Sequence, residues 1–304
     1  MELNENAQVD TSQVEDRRGS GGGIGGRGIP IPIPAGRGGI VGIIIAVLVA
    51  LVGGGLGINA ATNDDGGGTA SDNTQLEQKC NAADKLDQLD CRNTLYVNSI
   101  QAWWQTELPQ AYGKQYQPAD TVFFAQQTST GCGAADSGVG PFYCSEDARV
   151  YIDLTFYDQL ADQLGAPGEF AQPYVLAHEY GHHVQDLLGT LAQMHRQQER
   201  DPSNANALSV RLELQADCFA GAWAKNATGT ADARGQKIFK SITDQDIQQG
   251  LDTAAAIGDD TLQKKAGQRV NPDGFTHGTS AQRQQWFRTG YETGDPRKCD
   301  TFGS

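Results

Sequence analysis

The stretch Tyr174-Val-Leu-Ala-His-Glu-Tyr-Gly-His-His-Val-Gln185 carries His178 and His182, four residues apart, with a glutamate directly after the first. Its apolar residues recur near helical spacing, which predicts a helix that ends before Gly189. On such a helix His178 and His182 lie one turn apart on one face, so both imidazoles can reach one metal ion. Glu179 is turned by about 100° from that face and flanks the ion. This pattern predicts one Zn²⁺ ion that activates water, although two surface histidines on an amphipathic helix would give the same letters.

A second helical stretch, 209–223, carries two acidic residues within an otherwise apolar sequence. Glu213 and Asp217 are four residues apart and therefore share one face. Catalytic zinc takes three protein ligands and keeps a position open, so we predict Glu213 as the third ligand. Asp217 can accept a hydrogen bond from the outer N–H of a ligand histidine and fix its tautomer. The alternative is a pair of solvated acids, which is the usual environment of Glu and Asp.

Six segments spread over the chain resemble one bacterial family: VEDRRG, GPFYC, VYIDLTFYDQL, LAHEYGHHVQ, RLELQADCFAGAW and HGTSAQRQQWF. Together they are similar to the YpfJ-like neutral zinc metallopeptidases, with the gluzincin order H-E-x-x-H followed by E-x-x-x-D. The resemblance extends from Val14 to Phe287, which is nearly the whole chain. It implies a zincin fold, a zinc cofactor and peptide-bond hydrolysis, and it does not identify a substrate.

The same resemblance suggests two further parts of a cleft. Either Gly140–Cys144 or Val150–Asp153 would bind the substrate backbone by strand addition. His277 would stabilise the oxyanion of peptide hydrolysis, the alternative being a structural histidine that caps the next helix. His183, four residues after Glu179, either touches the cleft or packs beside it.

The charge of the chain limits its partners. The net charge is -14, which argues against nucleic-acid binding because that function needs basic patches. The charge therefore predicts no nucleic-acid partner, and the resemblance implies a protein or peptide substrate.

Six cysteines follow the glycine-rich N-terminal region, and none forms a C-x-x-C pair. An even number in an extracytoplasmic domain predicts three disulfides. Proximity in sequence favours Cys80–Cys91 and Cys132–Cys144, which leaves Cys218–Cys299. The alternative is six reduced, buried thiols.

The N-terminal quarter differs in composition from the rest. We predict a disordered Gly/Arg-rich cytoplasmic tail over 1–38, a transmembrane helix over 39–58, a linker over 59–74 and a zinc metallopeptidase domain over 75–304. The arginines that precede the apolar segment predict a single-pass protein of the cell membrane with a cytoplasmic N-terminus and an extracytoplasmic catalytic domain. A cleaved signal peptide and a buried soluble helix are the rival interpretations of the apolar segment.

The predicted fold class is α+β, a mainly helical zincin-like domain with a small sheet, carried on the N-terminal transmembrane helix. The predicted function is a membrane-anchored zinc metallopeptidase in which zinc-activated water hydrolyses peptide bonds, with Glu179 as general base. The competing function is a non-catalytic, membrane-tethered binding or scaffold protein with a vestigial metal site. The sequence does not decide between endopeptidase and exopeptidase.

Overall fold

The computed structural model describes residues 1–18, 73–166 and 168–303. Helices dominate these ranges, and strands are short. In chain order the α-helices are α1 (Thr74–Cys80), α2 (Leu89–Tyr112), α3 (Phe156–Asp162), α4 (Ala171–Leu188), α5 (Thr190–Arg200), α6 (Ala205–Asn226), α7 (Asp244–Ala256), α8 (Asp259–Lys265) and α9 (Ser280–Thr293).

The strands are β1 (Glu2–Leu3), β2 (Val14–Asp16), β3 (Thr121–Phe124), β4 (Gln127–Thr130), β5 (Gly133–Asp136), β6 (Phe142–Cys144), β7 (Arg149–Asp153) and β8 (Phe239–Ser241). The main sheet has the order β2-β3-β7-β6. Its first three strands are parallel, and β6 is antiparallel to β7 at the edge. β4 and β5 form a separate hairpin, and β1 pairs with β8.

Helix α4 ends where the sequence predicts. Gly189 adopts a φ of 81°, and its N–H bonds to the carbonyl of Asp186, so the left-handed residue terminates the last turn. The residues of α4 from Tyr174 to Gln185 are all buried, because α6 and α2 pack against it. The helix therefore carries polar side chains into the interior, where each needs a partner.

Helices α6 and α9 approach each other closely through two glycines. A Cβ atom on Gly221 would lie 2.0 Å from the carbonyl oxygen of Phe287, and one on Gly290 would lie 1.9 Å from that of Cys218. Gly181 of α4 has a similar role, since its Cβ would lie 3.0 Å from the Cα of Ala216 on α6. These contacts bring the backbones of α4, α6 and α9 together without intervening side chains.

Residues 1–18 belong to the folded domain. β2 is hydrogen-bonded to β3, with Val14 paired to Thr121, and β1 is paired with β8. The side chain of Arg18 donates to Asp90 on α2 at 2.7 Å. The segment that we predicted as a disordered tail thus contains β1 and also β2, which is an outer strand of the main sheet.

The fold class and the location that we predicted need correction. No helix in the described part of the chain is both long and apolar enough to cross a bilayer. The predicted transmembrane segment, 39–58, lies outside the described residues. A single crossing there would put β2 and β3 on opposite sides of the membrane, which their hydrogen-bonded pairing excludes. The prediction of a single-pass membrane protein with a cytoplasmic N-terminus and an extracytoplasmic domain is therefore wrong, and an α+β domain with small sheets remains.

The three predicted disulfides are confirmed. Cys80 is bonded to Cys91, Cys132 to Cys144 and Cys218 to Cys299. The last of these joins α6 to the C-terminal segment across 81 residues.

Candidate metal centre

Helices α4 and α6 bring three candidate ligands together. The Nε2 atom of His178 lies 3.2 Å from one carboxylate oxygen of Glu213, and the Nε2 atom of His182 lies 3.4 Å from the other. The three ligand atoms, one from each residue, all lie within 4.8 Å of one another. The close approach of the two helices at Gly181 permits this convergence, since a larger residue would push α6 away.

The outward nitrogen of His178 contacts Asp217, as the spacing of the acidic pair predicts. The Nδ1 atom lies 2.9 Å from Asp217 Oδ1, so a neutral imidazole must donate from Nδ1 and keep Nε2 free. Tyr174 also donates to this carboxylate at 2.6 Å. Arg283 of α9 donates to both of its oxygens at 2.8 and 2.9 Å. Asp217 is fully buried, and Arg283 is 2% exposed, so this charge pair is shielded from water.

The outward nitrogen of His182 contacts an amide. Its Nδ1 atom lies 2.8 Å from the side-chain oxygen of Gln185, one turn later on α4. Both histidines therefore hold hydrogen-bond partners on the side away from Glu213, which orients the rings.

Glu179 differs from the other polar residues of the centre. It is 7% exposed and, among the described residues, it has no hydrogen-bond partner, yet it lines the same cleft as His178, His182 and Glu213. Burial raises the pKa of this carboxyl above its usual range, although the neighbouring histidines oppose the shift. Glu179 is therefore a carboxylate with unused acceptor capacity beside the candidate ligands.

The electrostatics of the three ligands are strongly coupled. Burial opposes the charged form of His178, but Asp217 and Glu213 outweigh it and raise the pKa of this histidine to about 10. Burial likewise opposes ionisation of Glu213, but the two histidines hold its pKa well below its usual range. In the metal-free protein, protons on the two imidazoles balance the negative charge of this carboxylate. A bound metal ion would take the place of those protons.

His277 reaches the same cleft from the loop before α9. Its Nδ1 atom lies 3.1 Å from one oxygen of Asp259, and its backbone N–H donates to the other at 2.7 Å. The N-cap of α9 is Thr279, in a capping box with Gln282, so His277 does not cap this helix. Asp259 also accepts from the N–H groups of Thr276 and Gly278, which fixes the loop that carries His277.

Strand β6 is the edge strand nearest the centre, whereas β7 lies inside the sheet. Of the two predicted substrate strands, only Gly140–Cys144 is thus at a free edge, and its Gly140–Tyr143 part lines the cleft. His183 packs beside the cleft. Its Nδ1 atom contacts the hydroxyl of Tyr143, and its Nε2 atom contacts the carbonyl oxygen of Gln117. The cleft walls are mostly apolar and include Val139, Pro141, Phe142, Phe156, Val175 and Ile257.

The donor set fits zinc. Two imidazole nitrogens and one carboxylate are ligands typical of a catalytic zinc ion, and each histidine is held with its Nε2 directed inward. The residues that sequence reasoning missed are Tyr174, Gln185, Asp259 and Arg283. Helical spacing could have indicated Gln185, which lies three residues after His182. The contacts of Tyr174 and Arg283 with Asp217 span 43 and 66 residues, and that of Asp259 with His277 spans 18, so their spacing gives no signal.

Comparison with known proteins agrees with this donor set. A family described as "Putative neutral zinc metallopeptidase" matches residues 3–302. The chain is 41% identical to the uncharacterized protein YpfJ of Escherichia coli (strain K12) over 295 residues, 97% of this chain and 96% of YpfJ. It is 44% identical over 231 residues to the uncharacterized proteins Mb2605 of Mycobacterium bovis and Rv2575 of Mycobacterium tuberculosis, covering 75% of this chain and 76% of each relative. No solved structure gives a significant match. The chain belongs to the neutral zinc metallopeptidase family that this description names.

Proposed function

We propose that the protein is a zinc-dependent metallopeptidase that hydrolyses peptide bonds. The observation that carries the proposal is the placement of Glu179, an unpaired buried carboxylate beside the His178, His182 and Glu213 cluster. A structural zinc site does not require an uncoordinated carboxylate next to its ligands, whereas hydrolysis requires a general base at that position.

Each residue then has a chemical role. A zinc ion bound by His178, His182 and Glu213 supplies a Lewis acid, which lowers the pKa of water and polarises a carbonyl. Glu179 accepts a proton from the water while the oxygen atom of that water bonds to the carbonyl carbon of the peptide. The same carboxyl returns that proton to the amide nitrogen as the C–N bond breaks, which gives two peptides. Burial raises the pKa of Glu179, which favours its acceptance of the proton.

His277 and strand β6 complete the proposal. Asp259 accepts from Nδ1 of His277 and orients the ring at the cleft, and in the imidazolium form Nε2–H would also donate to a developing oxyanion there. The free edge of β6 offers backbone groups to an extended peptide, and the apolar walls suit a peptide with at least one apolar side chain.

The test combines metal content and proteolysis. We expect the purified protein to bind one zinc ion and to cleave a peptide library, with activity lost on chelation and restored by zinc. Glu179→Gln keeps the shape of the side chain but removes the base, so it should bind zinc like the parent and turn over peptides at least about 10²-fold more slowly. His178→Ala and His182→Ala should lose both zinc and activity.

Two results would contradict the proposal. One is a parent protein that binds zinc and cleaves no peptide, which would favour a non-catalytic binding protein. The other is a Glu179→Gln variant as active as the parent, which would show that Glu179 is not the general base.

His277→Ala should lower kcat by about 10²–10³-fold with zinc content unchanged if His277 stabilises the oxyanion.

A further inference from the structure

The partner of His182 differs in kind from the partner of His178. A carboxylate such as Asp217 only accepts hydrogen bonds, so its presence alone forces a proton onto the facing nitrogen. The partner of His182 is the amide of Gln185, which has both a donor and an acceptor end. Its orientation must therefore follow from the groups around it.

Two backbone carbonyls decide that orientation. The Nε2 atom of Gln185 lies 2.7 Å from the Leu212 carbonyl and 3.1 Å from Oε1 of Gln215. The Nε2 atom of Gln215 lies 2.9 Å from the Cys299 carbonyl. A backbone carbonyl can only accept, so both amide nitrogens must face these carbonyls. The amide oxygen of Gln185 is thereby turned towards His182.

We propose that Gln185 and Gln215, with the Leu212 and Cys299 carbonyls, form an amide relay that sets the tautomer of His182. The inference rests on the proposed zinc site. The relay accepts a hydrogen bond from Nδ1–H and so leaves the lone pair of Nε2 directed at Glu213 and the metal position. Gln185 and Gln215 are positioning residues, because they act on the metal site only through His182.

The neutrality of the relay has a physical reason. The centre already contains the carboxylates of Glu179, Glu213 and Asp217, and of these three only Asp217 forms an ion pair with an arginine in the described part of the chain. A second carboxylate behind His182 would add an unpaired charge at a position where Gln185 is fully buried. An amide orients the imidazole without that cost.

Both arms of the metal site converge on one disulfide. The relay ends on the carbonyl of Cys299, and Cys299 is bonded to Cys218, the residue after Asp217. The outer partners of His178 and His182 are thus fixed to the same covalent link between α6 and the C-terminal segment.

The test compares variants of the full-length protein by zinc affinity. Gln185→Leu removes the acceptor, and we expect zinc to bind about 10–100-fold more weakly in a chelator competition. Gln215→Leu should have a smaller effect, because the Leu212 carbonyl still orients Gln185. Gln198→Leu is the matched control: this buried amide also donates to a backbone carbonyl but lies away from the centre.

A second readout reports the tautomer itself. In the zinc-loaded parent, ring ¹⁵N spectra should show a protected Nδ1–H on His182, and Gln185→Leu should expose it to exchange. Zinc affinity in Gln185→Leu equal to that of the parent, or an Nδ1–H of His182 that stays equally protected in this variant, overturns the relay alone. A parent protein that binds no zinc overturns the proposed function and the relay with it.

Discussion

The hydrogen bonds around Asp217 couple a metal-site carboxylate to a buried arginine. Arg283 occupies both oxygens of Asp217, and the same carboxylate accepts from Nδ1 of His178. Asp217 therefore has two roles, orienting a candidate ligand and neutralising a buried guanidinium. Removing it should affect metal affinity and stability for separate reasons.

A double variant separates these two roles. Asp217→Ala should weaken zinc binding by about 10–100-fold, because His178 loses its orienting partner. It should also destabilise the metal-free protein by about 3–5 kcal/mol, because Arg283 keeps an unpaired buried charge. Adding Arg283→Met should restore much of the stability in urea unfolding but none of the zinc affinity. A double variant that regains zinc affinity would show that Asp217 does not orient His178.

At this scale the sequence predicts residues whose spacing is local. His178, Glu179 and His182 follow from one helical turn, and the structure brings Glu213 and His277 to the same cleft. Their roles as ligands, base and oxyanion partner stay predictions. Residues that act across the fold, such as Arg283, carry no sequence signal because only tertiary packing sets their partners.

Among the elements, the pairing of α6 with α9 governs the geometry of the site. Asp217 lies about one turn before Gly221 on α6, and Arg283 lies about two turns before Gly290 on α9. The distance between the two helices therefore sets the distance of the ion pair. The atoms that face the two glycines are backbone atoms, which cannot move aside as a flexible side chain can. The two helices must separate if either glycine gains a side chain.

Gly221→Ala tests this contact. We expect a loss of about 3 kcal/mol in the free energy of unfolding, at the upper end of the range for overpacking, with weaker zinc binding as Arg283 shifts. Gly229→Ala is the control, since no atom lies within 4 Å of the Cβ position there. This control should change stability by less than about 0.5 kcal/mol. Equal stabilities of the two variants would show that α6 and α9 can separate without cost.

The regular elements follow well from sequence pattern, and the small ones do not. The stretches 121–125 and 150–155 are rich in β-branched and aromatic residues, which favour buried strands, and they contain β3 and β7. In the exposed β4–β5 hairpin the β-branched residues are Thr128 and Thr130, and neither strand holds an aromatic residue. Turn geometry and the adjacent Cys132–Cys144 link form it instead.

For the molecule as a whole, the N-terminal segment is held to the helical core by a charge cluster. Asp90 of α2 accepts from Arg18 at 2.7 Å and from Lys79 at 2.8 Å. Burial alone would raise the pKa of Asp90, but these two cations lower it below its usual value. A carboxyl with a lower pKa in the folded state stabilises the fold above its unfolded pKa, and this contribution is lost as the pH falls through the folded value.

Asp90→Asn should therefore show a pH-dependent loss. At pH 7 we expect the free energy of unfolding to fall by about 1–3 kcal/mol, since two charge-assisted hydrogen bonds weaken. The difference from the parent should begin to shrink below about pH 4, where the carboxyl protonates in the unfolded parent, and should be lost as the pH falls through the lower pKa of the folded state. Urea unfolding from pH 7 to pH 3 measures it, with the exposed Asp87→Asn as control. A difference that stays constant over this range would exclude the titration of Asp90 as its cause.

The sequence misled the prediction at this largest scale. Val14-Glu-Asp16 is too short to give a strand pattern, and its partner Thr121 lies more than one hundred residues away. Flanking arginines and an apolar run instead predicted a membrane crossing, which the β2–β3 pairing contradicts. Local composition could not reveal that this segment completes a sheet formed much later in the chain.

The pairing of Glu2 with Ser241 also has a consequence in time. A ribosome adds roughly 5–20 residues per second, so roughly ten to fifty seconds separate the synthesis of these two residues. During that interval β1 has been synthesised, but β8 has not. β1 thus has no strand partner until translation has passed Ser241, and Leu3 stays open to chaperones and proteases for that time.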